Sequence, residues 1–298
     1  MSLYKTTFYM IAVFVLSSCS FNSTFHKPNQ IKSFEELTRY DSVKDTTYIE
    51  YAKESQEIIL YEGEYNKVIN RDYIIRNKFF VSSNGNKLNG WLLTPKKVKP
   101  IATILHLHGS AGNLLTQYEL ITPLIEYGYQ IFTFDYSGYG CSEGEPTHEN
   151  LIQDGYSALK YINEGNGVHD GRLILYGQSY GGYLASIIGS NSQQEMDGIV
   201  IEGAFSSFRE EAKHKAGFFG NFVKIGIRAD REIQKNQKPV LIIHSKEDKM
   251  VPIELGRKIF SNANHPKEFY EIDGSHSNGL QYYAQEIADK IYQMILKE

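Results

Sequence analysis

The sequence has only two cysteines in 298 residues, Cys19 and Cys141. So few thiols exclude a disulfide scaffold, and the stability of the fold has to come from its core. It also lacks a dominant charge: 31 Lys and Arg face 35 Asp and Glu, a formal net charge of −4, and no run of like charges forms a basic arm. Nucleic acid finds no electrostatic footprint on such a chain. There is no fixed-period repeat and no low-complexity tract, which removes solenoids and disordered scaffolds. The uncharged apolar run Phe8 to Leu16 is too short for a membrane span, which needs about 20 residues. What these absences leave is one globular domain. The 41% hydrophobic content suffices for a single large core, because α/β chains reach about 250 residues as one unit.

The chain is organised around Leu173 to Gly182. Apolar Leu173-Ile174-Leu175-Tyr176 breaks into Gly177-Gln178-Ser179-Tyr180-Gly181-Gly182, and a small-residue helix follows. This is the G-x-S-x-G pattern of a buried strand, a strained turn and a helix, with glycines where a Cβ would collide with neighbouring backbone. Ser179 is thereby expected at the strand's C-terminal edge. Its hydroxyl sits over a helix N-terminus, where free N–H groups favour developing negative charge.

Around it the pattern alternates. Strands are expected at Ala102 to Leu107, Gln130 to Phe134, Arg172 to Tyr176, Gly198 to Ile201, Val240 to His244 and Lys267 to Ile272. Helices are expected near Gln117 to Tyr127, Glu149 to Asn163, Tyr180 to Ser190, Ile253 to Asn262 and Leu280 to Leu296. Such alternation specifies an α/β fold: a mostly parallel sheet covered on both faces, with function at the strands' C-terminal ends. A hairpin of Tyr73 to Val81 and Leu88 to Thr94 precedes it. Residues 31–72 read as a lead-in of one or two helices packed on the core.

Acyl transfer by serine needs a base, an acid that orients the base, and donors for the oxyanion. Asp248 follows the strand Val240 to His244, and His276 follows the last strand, so Ser179, Asp248 and His276 appear in a workable order. Glu202, at the end of its own strand, is the alternative acid. In His106-Leu107-His108-Gly109-Ser110-Ala111-Gly112-Asn113, Gly109 lets the backbone turn close to the nucleophile, so that the N–H of Ser110 can join that of Tyr180 in an oxyanion hole. His106 and His108 have no third ligand at useful spacing, so no metal is expected, and they brace the loop instead. No organic cofactor is implied. Cys141 lacks the strand-turn-helix setting and a placed base.

The runs at His108 to Asn113, Asp135 to Pro146, Gly177 to Gly182, His244 to Pro252 and Gly274 to His276 resemble the α/β-hydrolase-domain proteins that include acyl-protein thioesterases and serine-aminopeptidase-like esterases. The resemblance spans roughly residues 88 to 280. It implies an α/β-hydrolase fold with Ser179 as nucleophile, His276 as base, Asp248 as orienting acid, and main-chain donors at Ser110 and Tyr180. It also implies structural roles for Asp135 and Asp154. The sequence departs from the pattern at Ser137, where these relatives carry arginine. The activity implied is ester or thioester hydrolysis of a small or lipid-like acyl substrate. A peptidase of the same fold and a non-catalytic binding lipoprotein are the alternatives.

Two segments lie outside this frame. Lys5, the run Phe8 to Leu16 and Leu16-Ser17-Ser18-Cys19 resemble a bacterial lipoprotein signal, with residues 1–18 removed, Cys19 lipidated and 19–30 a tether. That implies an envelope protein facing outside the cytoplasm, attached to the membrane through its N-terminal lipid. An insertion at about 205–238, within the catalytic domain of residues 73–298, carries Phe205, Phe208, Phe218, Phe219 and Phe222, and eight Lys or Arg against four Asp or Glu. It is expected to act as a short cap, with Phe218 and Phe219 roofing the substrate pocket and a basic face turned to anionic headgroups.

Overall fold

In the computed structural model, residues 26–31, 39–41, 46–62, 64–65, 67–166, 171–223 and 226–296 are described. The lipoprotein signal and Cys19 lie outside them. Fourteen strands are present among the described residues: β1 Lys27–Pro28, β2 Arg39–Asp41, β3 Thr46–Ala52, β4 Glu57–Glu62, β5 Lys67–Val68, β6 Tyr73–Val81, β7 Lys87–Pro95, β8 Ala102–Leu107, β9 Ala111–Gly112, β10 Tyr129–Phe134, β11 Arg172–Gln178, β12 Gly198–Glu202, β13 Val240–Ser245 and β14 Lys267–Ile272. The main helices are α1 His148–Asn163, α2 Tyr180–Asn191, α3 Phe208–Ala216, α4 Ile253–Asn262 and α5 Ala284–Leu296. None of the described helices is long and apolar enough to cross a membrane.

Twelve strands form one sheet in the order β14-β13-β12-β11-β8-β10-β7-β6-β4-β3-β2, with β5 added beside β4. From β14 to β10 every neighbouring pair is parallel. The strands β8, β10, β12 and β13 are buried throughout, which is why they read as continuous apolar runs rather than alternating ones. Two hydrophobic clusters occupy the two faces. One gathers Leu105, Leu175, Ile201 and Ile242 with α1 and α2, and the other gathers Ile104, Ile174, Val200 and Ile243 with α5. Residues adjacent in sequence thus alternate between the two clusters, the period-2 rule of a strand covered on both sides.

The lead-in differs from expectation. β3, β4 and β5 are antiparallel strands that extend the sheet past β6, with Ile49 opposite Leu60 and Ile58 opposite Ile75. The composition of Thr46–Ala52 and Glu57–Glu62, rich in Thr, Tyr and Ile, suits a half-buried pleated surface better than a helix. Ile58 and Leu60 are buried while the residues between and beside them are partly open. The expected tether is also corrected over its last part. His26–Ile31 lie on the body, with β1 paired in parallel to β9.

Candidate active site

The strand β11 ends in the turn that presents Ser179 at φ 55 and ψ −117, a strained conformation for a residue with a side chain. Two close approaches explain the flanking glycines. A Cβ on Gly177 would lie 2.1 Å from the Gly181 carbonyl oxygen, and one on Gly181 would lie 1.8 Å from that of Leu107. The helix α2 therefore starts hard against the ends of β11 and β8. The Ser179 N–H donates to the Glu202 carbonyl at 2.8 Å, fixing the turn to the end of β12.

Asp248 and His276 come from the loops after β13 and β14. His276 Nδ1 lies 2.6 Å from Asp248 Oδ2, and the Asp248 Oδ1 accepts the Met250 and Val251 N–H groups, each at 2.9 Å. Burial pushes the Asp248 carboxyl up. Hydrogen bonds from His244 and His276, the charge of His276 and the Val251 N–H outweigh it and hold the group well below the ordinary carboxylate range. Asp248 is thus an anion that orients the ring. His276 Nε2 is buried without a protein partner. The ring's Cε1 is 3.3 Å from where a Gly203 Cβ would be, next to the Glu202 carbonyl that holds Ser179.

Glu202, the alternative acid, is committed elsewhere. Its carboxylate accepts from Tyr176 Oη at 2.9 Å, Gln178 Nε2 at 2.8 Å and the Gly279 N–H at 2.8 Å. It holds the loop carrying His276 rather than the imidazole itself.

The loop after β8 is clamped one carbonyl at a time. That of His108 accepts from Tyr136 Oη at 3.0 Å, that of Gly109 from His108 Nδ1 at 2.7 Å, and that of Ser110 from Tyr139 Oη at 2.9 Å. Tyr136 and Tyr139 belong to the Asp135 to Pro146 run, so one motif holds another in place. The bond to the Gly109 carbonyl fixes the peptide plane that carries the Ser110 N–H. Burial lowers His108 to about 4, which keeps the ring neutral with its proton on Nδ1. A Cβ on Gly109 would lie 3.8 Å from Ser179 Cβ, so this loop borders Ser179. Tyr180 opens α2, and its N–H is among the first-turn groups with no intrahelical acceptor. His106 bridges Thr133 Oγ1 at 3.1 Å and Gln178 Oε1 at 3.0 Å. Both histidines brace the site.

The two structural acids are buried. Asp135 accepts the Leu114 N–H at 2.7 Å, and burial, partly offset by the N–H groups of Leu114 and Cys141, raises it to about 7. Asp154 is raised to about 6 by burial, against hydrogen bonds from Ser137 and Ser82. Ser137 donates its N–H at 2.7 Å and its Oγ at 2.9 Å to the two Asp154 oxygens. Ser137 thus ties its loop to Asp154 at the position where the sequence departs from the resemblance. The Cys141 thiol is pushed up to about 12 by burial and by the charge of Asp135, which leaves it no thiolate character.

Three groups at this site carried no signal in the sequence. His26 is buried with both ring nitrogens unpartnered, its ring 5.0 Å from that of Tyr180. The Lys27 N–H donates to the Ser110 carbonyl at 2.8 Å, and the Asn29 carbonyl accepts Asn113 Nδ2 at 3.0 Å. His148 bonds Tyr180 Oη at 2.9 Å through Nδ1. An N-terminal strap thus backs the loop that bears Ser110. Only the fold brings it there.

The insertion separates its phenylalanines. Phe205 and Phe208 are buried against Tyr180 and Tyr183. Phe218 and Phe219 are 73% and 71% exposed and contact each other edge to face. The expected roof over the pocket is corrected accordingly: Phe218 and Phe219 face solvent because Gly220, not a phenylalanine, turns inward in Gly217–Phe222.

A parallel sheet with an elbow serine and an Asp–His pair at its C-terminal edge defines an α/β hydrolase. The sequence model described as alpha/beta hydrolase fold matches residues 102–225. The uncharacterized protein YfhR of Escherichia coli K12 is 32% identical over 204 residues, 66% of this chain and 72% of that protein. Lysophosphatidylserine lipase ABHD12 of Mus musculus is 30% identical over 191 residues, covering 57% of this chain and 48% of the mouse protein. The Pyrococcus furiosus esterase Pf2001 superposes with a TM-score of 0.64 at 18% identity, over 76% of this chain and 91% of that one. The chain belongs to the α/β-hydrolase family.

Proposed function

We propose that this hydrolase cleaves carboxylic esters or thioesters through an acyl-enzyme on Ser179. The observation that carries the reading is the 2.6 Å contact of His276 Nδ1 with the Asp248 anion, which leaves a buried, unpartnered Nε2 as the base. Ser179 Oγ attacks the acyl carbonyl carbon while Nε2 takes its proton. The carbonyl oxygen becomes an anion facing the N–H groups of Ser110 and Tyr180. On collapse the alcohol or thiol leaves with the proton from His276, and water repeats the sequence to release the acid. The names of the mouse lipase and the archaeal esterase fit an ester substrate. Labelling by a fluorophosphonate tests the assignment: one adduct on Ser179 is expected, lost in Ser179→Ala. A panel of p-nitrophenyl esters, acyl thioesters and aminoacyl amides separates esterase from peptidase, and labelling elsewhere would overturn the proposal.

The reading includes an anchor. Leu16-Ser17-Ser18-Cys19 after an apolar run supports cleavage before Cys19 and lipidation of its thiol, which holds the enzyme to the envelope outside the cytoplasm. Mass spectrometry of the mature N-terminal peptide should find a lipid-modified Cys19. An unmodified N-terminus at another residue would remove this part alone.

A further inference from the structure

We propose that the turn Gly217–Phe222, the end of α3 and the loop after β13 form a docking surface for an anionic lipid bilayer. Phe218, Phe219 and Phe222 are 73%, 71% and 56% exposed, and Met250 is 57% exposed. A solvated turn gains nothing from three phenylalanines, and such a cluster on a soluble face marks an interaction site. Its orientation is built in. A Cβ on Gly220 would lie 2.3 Å from the Lys213 backbone nitrogen, so the turn seats on α3 by its glycine and presents its aromatics outward.

The charge around this cluster selects the partner. Lys213, Lys215 and Lys249 are exposed beside it. Of the acids in these elements, Glu211 is buried and paired with Lys215 at 2.6 Å, Glu210 pairs with Lys258, and the exposed Glu247 accepts the Gly274 N–H at 3.3 Å, which leaves Lys213 and Lys249 as the positive groups facing outward. Phenylalanines that enter the acyl boundary and lysines that meet phosphate headgroups are the composition of an interfacial membrane contact. The chain as a whole is net −4, so the positive patch is local.

The surface also adjoins the site. His214 Nε2 approaches the Lys249 carbonyl at 3.5 Å, and Lys249 follows Asp248 directly. Docking by this face brings the mouth of the site to the bilayer and makes an amphiphile delivered from the membrane the substrate class. The patch itself requires neither lipidation nor hydrolysis.

The test uses the full chain carrying Cys19→Ala, so that failure of the anchor proposal does not enter. Phe218→Trp places a reporter on the patch, and the single native tryptophan, Trp91, is fully buried. With vesicles containing phosphatidylglycerol, the indole at position 218 should shift to the blue and be quenched by brominated acyl chains, with little response to pure phosphatidylcholine. Lys213→Gln and Lys249→Gln should each weaken vesicle partitioning about fivefold. An indole that stays unquenched while the protein sediments with vesicles would overturn the proposal. So would concentration-dependent dimerisation abolished by Phe218→Ser with Phe219→Ser, because a second copy would then be the occupant.

Discussion

The loops after β13 and β14 and the insertion after β12 all leave the same edge of the sheet, yet they are held in different ways. Asp248 is pinned by two backbone N–H groups of its own loop and by His276. The loop of His276 is tied to Glu202 through the Gly279 N–H. These contacts are directional, and Asp248 and Glu202 are buried, so each of these side chains has one place to be. In Gly217–Phe222 the buried residue is Gly220, and Phe218 meets Phe219 and Phe222 edge to face on the exposed side. The first region is built to keep a geometry for chemistry. The second is built to present a surface.

The largest effects are expected in the first region. Ser179→Ala or His276→Ala should lower kcat by at least about 10³-fold with the fold intact, because the members act as a unit. Asp248→Asn should cost somewhat less. Glu202→Gln is the control that sharpens the contrast: it loosens a buried cluster and should destabilise by about 1–3 kcal/mol while kcat falls less than tenfold. A greater loss of kcat in Glu202→Gln than in Asp248→Asn would exchange their roles.

Stability against pH is the next measure. Asp135, raised to about 7 by burial, takes up a proton on folding between the unfolded carboxylate range near 4 and that value. Its neutral form contributes stability that is fully present below about 4 and is lost as pH rises through about 7. Asp135→Asn has no charge to bury. Its melting temperature relative to the wild type should therefore improve between pH 5 and pH 8, by roughly 2–4 kcal/mol of relative stability at most. The buried histidines act with opposite sign. His108, lowered to about 4 by burial, contributes stability above about 6.5 that is lost as pH falls through about 4. An unchanged difference across this range would mean that Asp135 is not neutral in the folded protein.

A smaller effect is expected at the strap. Lys27→Pro deletes the N–H that the Ser110 carbonyl accepts, whereas Lys27→Ala keeps it. A net hydrogen bond contributes about 1 kcal/mol, so kcat should fall roughly fivefold in the proline variant alone, with KM little changed. Equal kinetics in both variants would reduce the strap to a cover.

The smallest effect is expected in the second region. Phe218→Ala with Phe219→Ala should change stability by less than about 0.5 kcal/mol and leave the selectivity among soluble esters as it was. Loss of medium-chain esters relative to acetyl esters would restore these residues to the pocket and break the comparison.

By itself the sequence determined the catalytic frame. The inner strands of the parallel sheet declare themselves because both faces are covered and the residues have to be apolar throughout, and β8 begins and ends where the pattern places it; the half-open edge strand β14 does so too, on a mixed sequence. The elbow is legible because its glycines answer backbone contacts only a few residues away. Asp248 and His276 follow from topology, since loops at the C-terminal ends of parallel strands converge. Asp248 was preferred to Glu202 on its motif, and the tertiary structure adds what occupies Glu202; the strap of His26 to Ile31, the strands β3, β4 and β5 and the outward turn of Phe218 and Phe219 were decided by tertiary structure alone. Each depends on which distant group fills a space or accepts a proton: Glu202 is taken by Gly279, Lys27 meets Ser110, and Gly220 occupies the inward position on α3. A residue's type states what it can bond or bury, and only the packed chain assigns its partner.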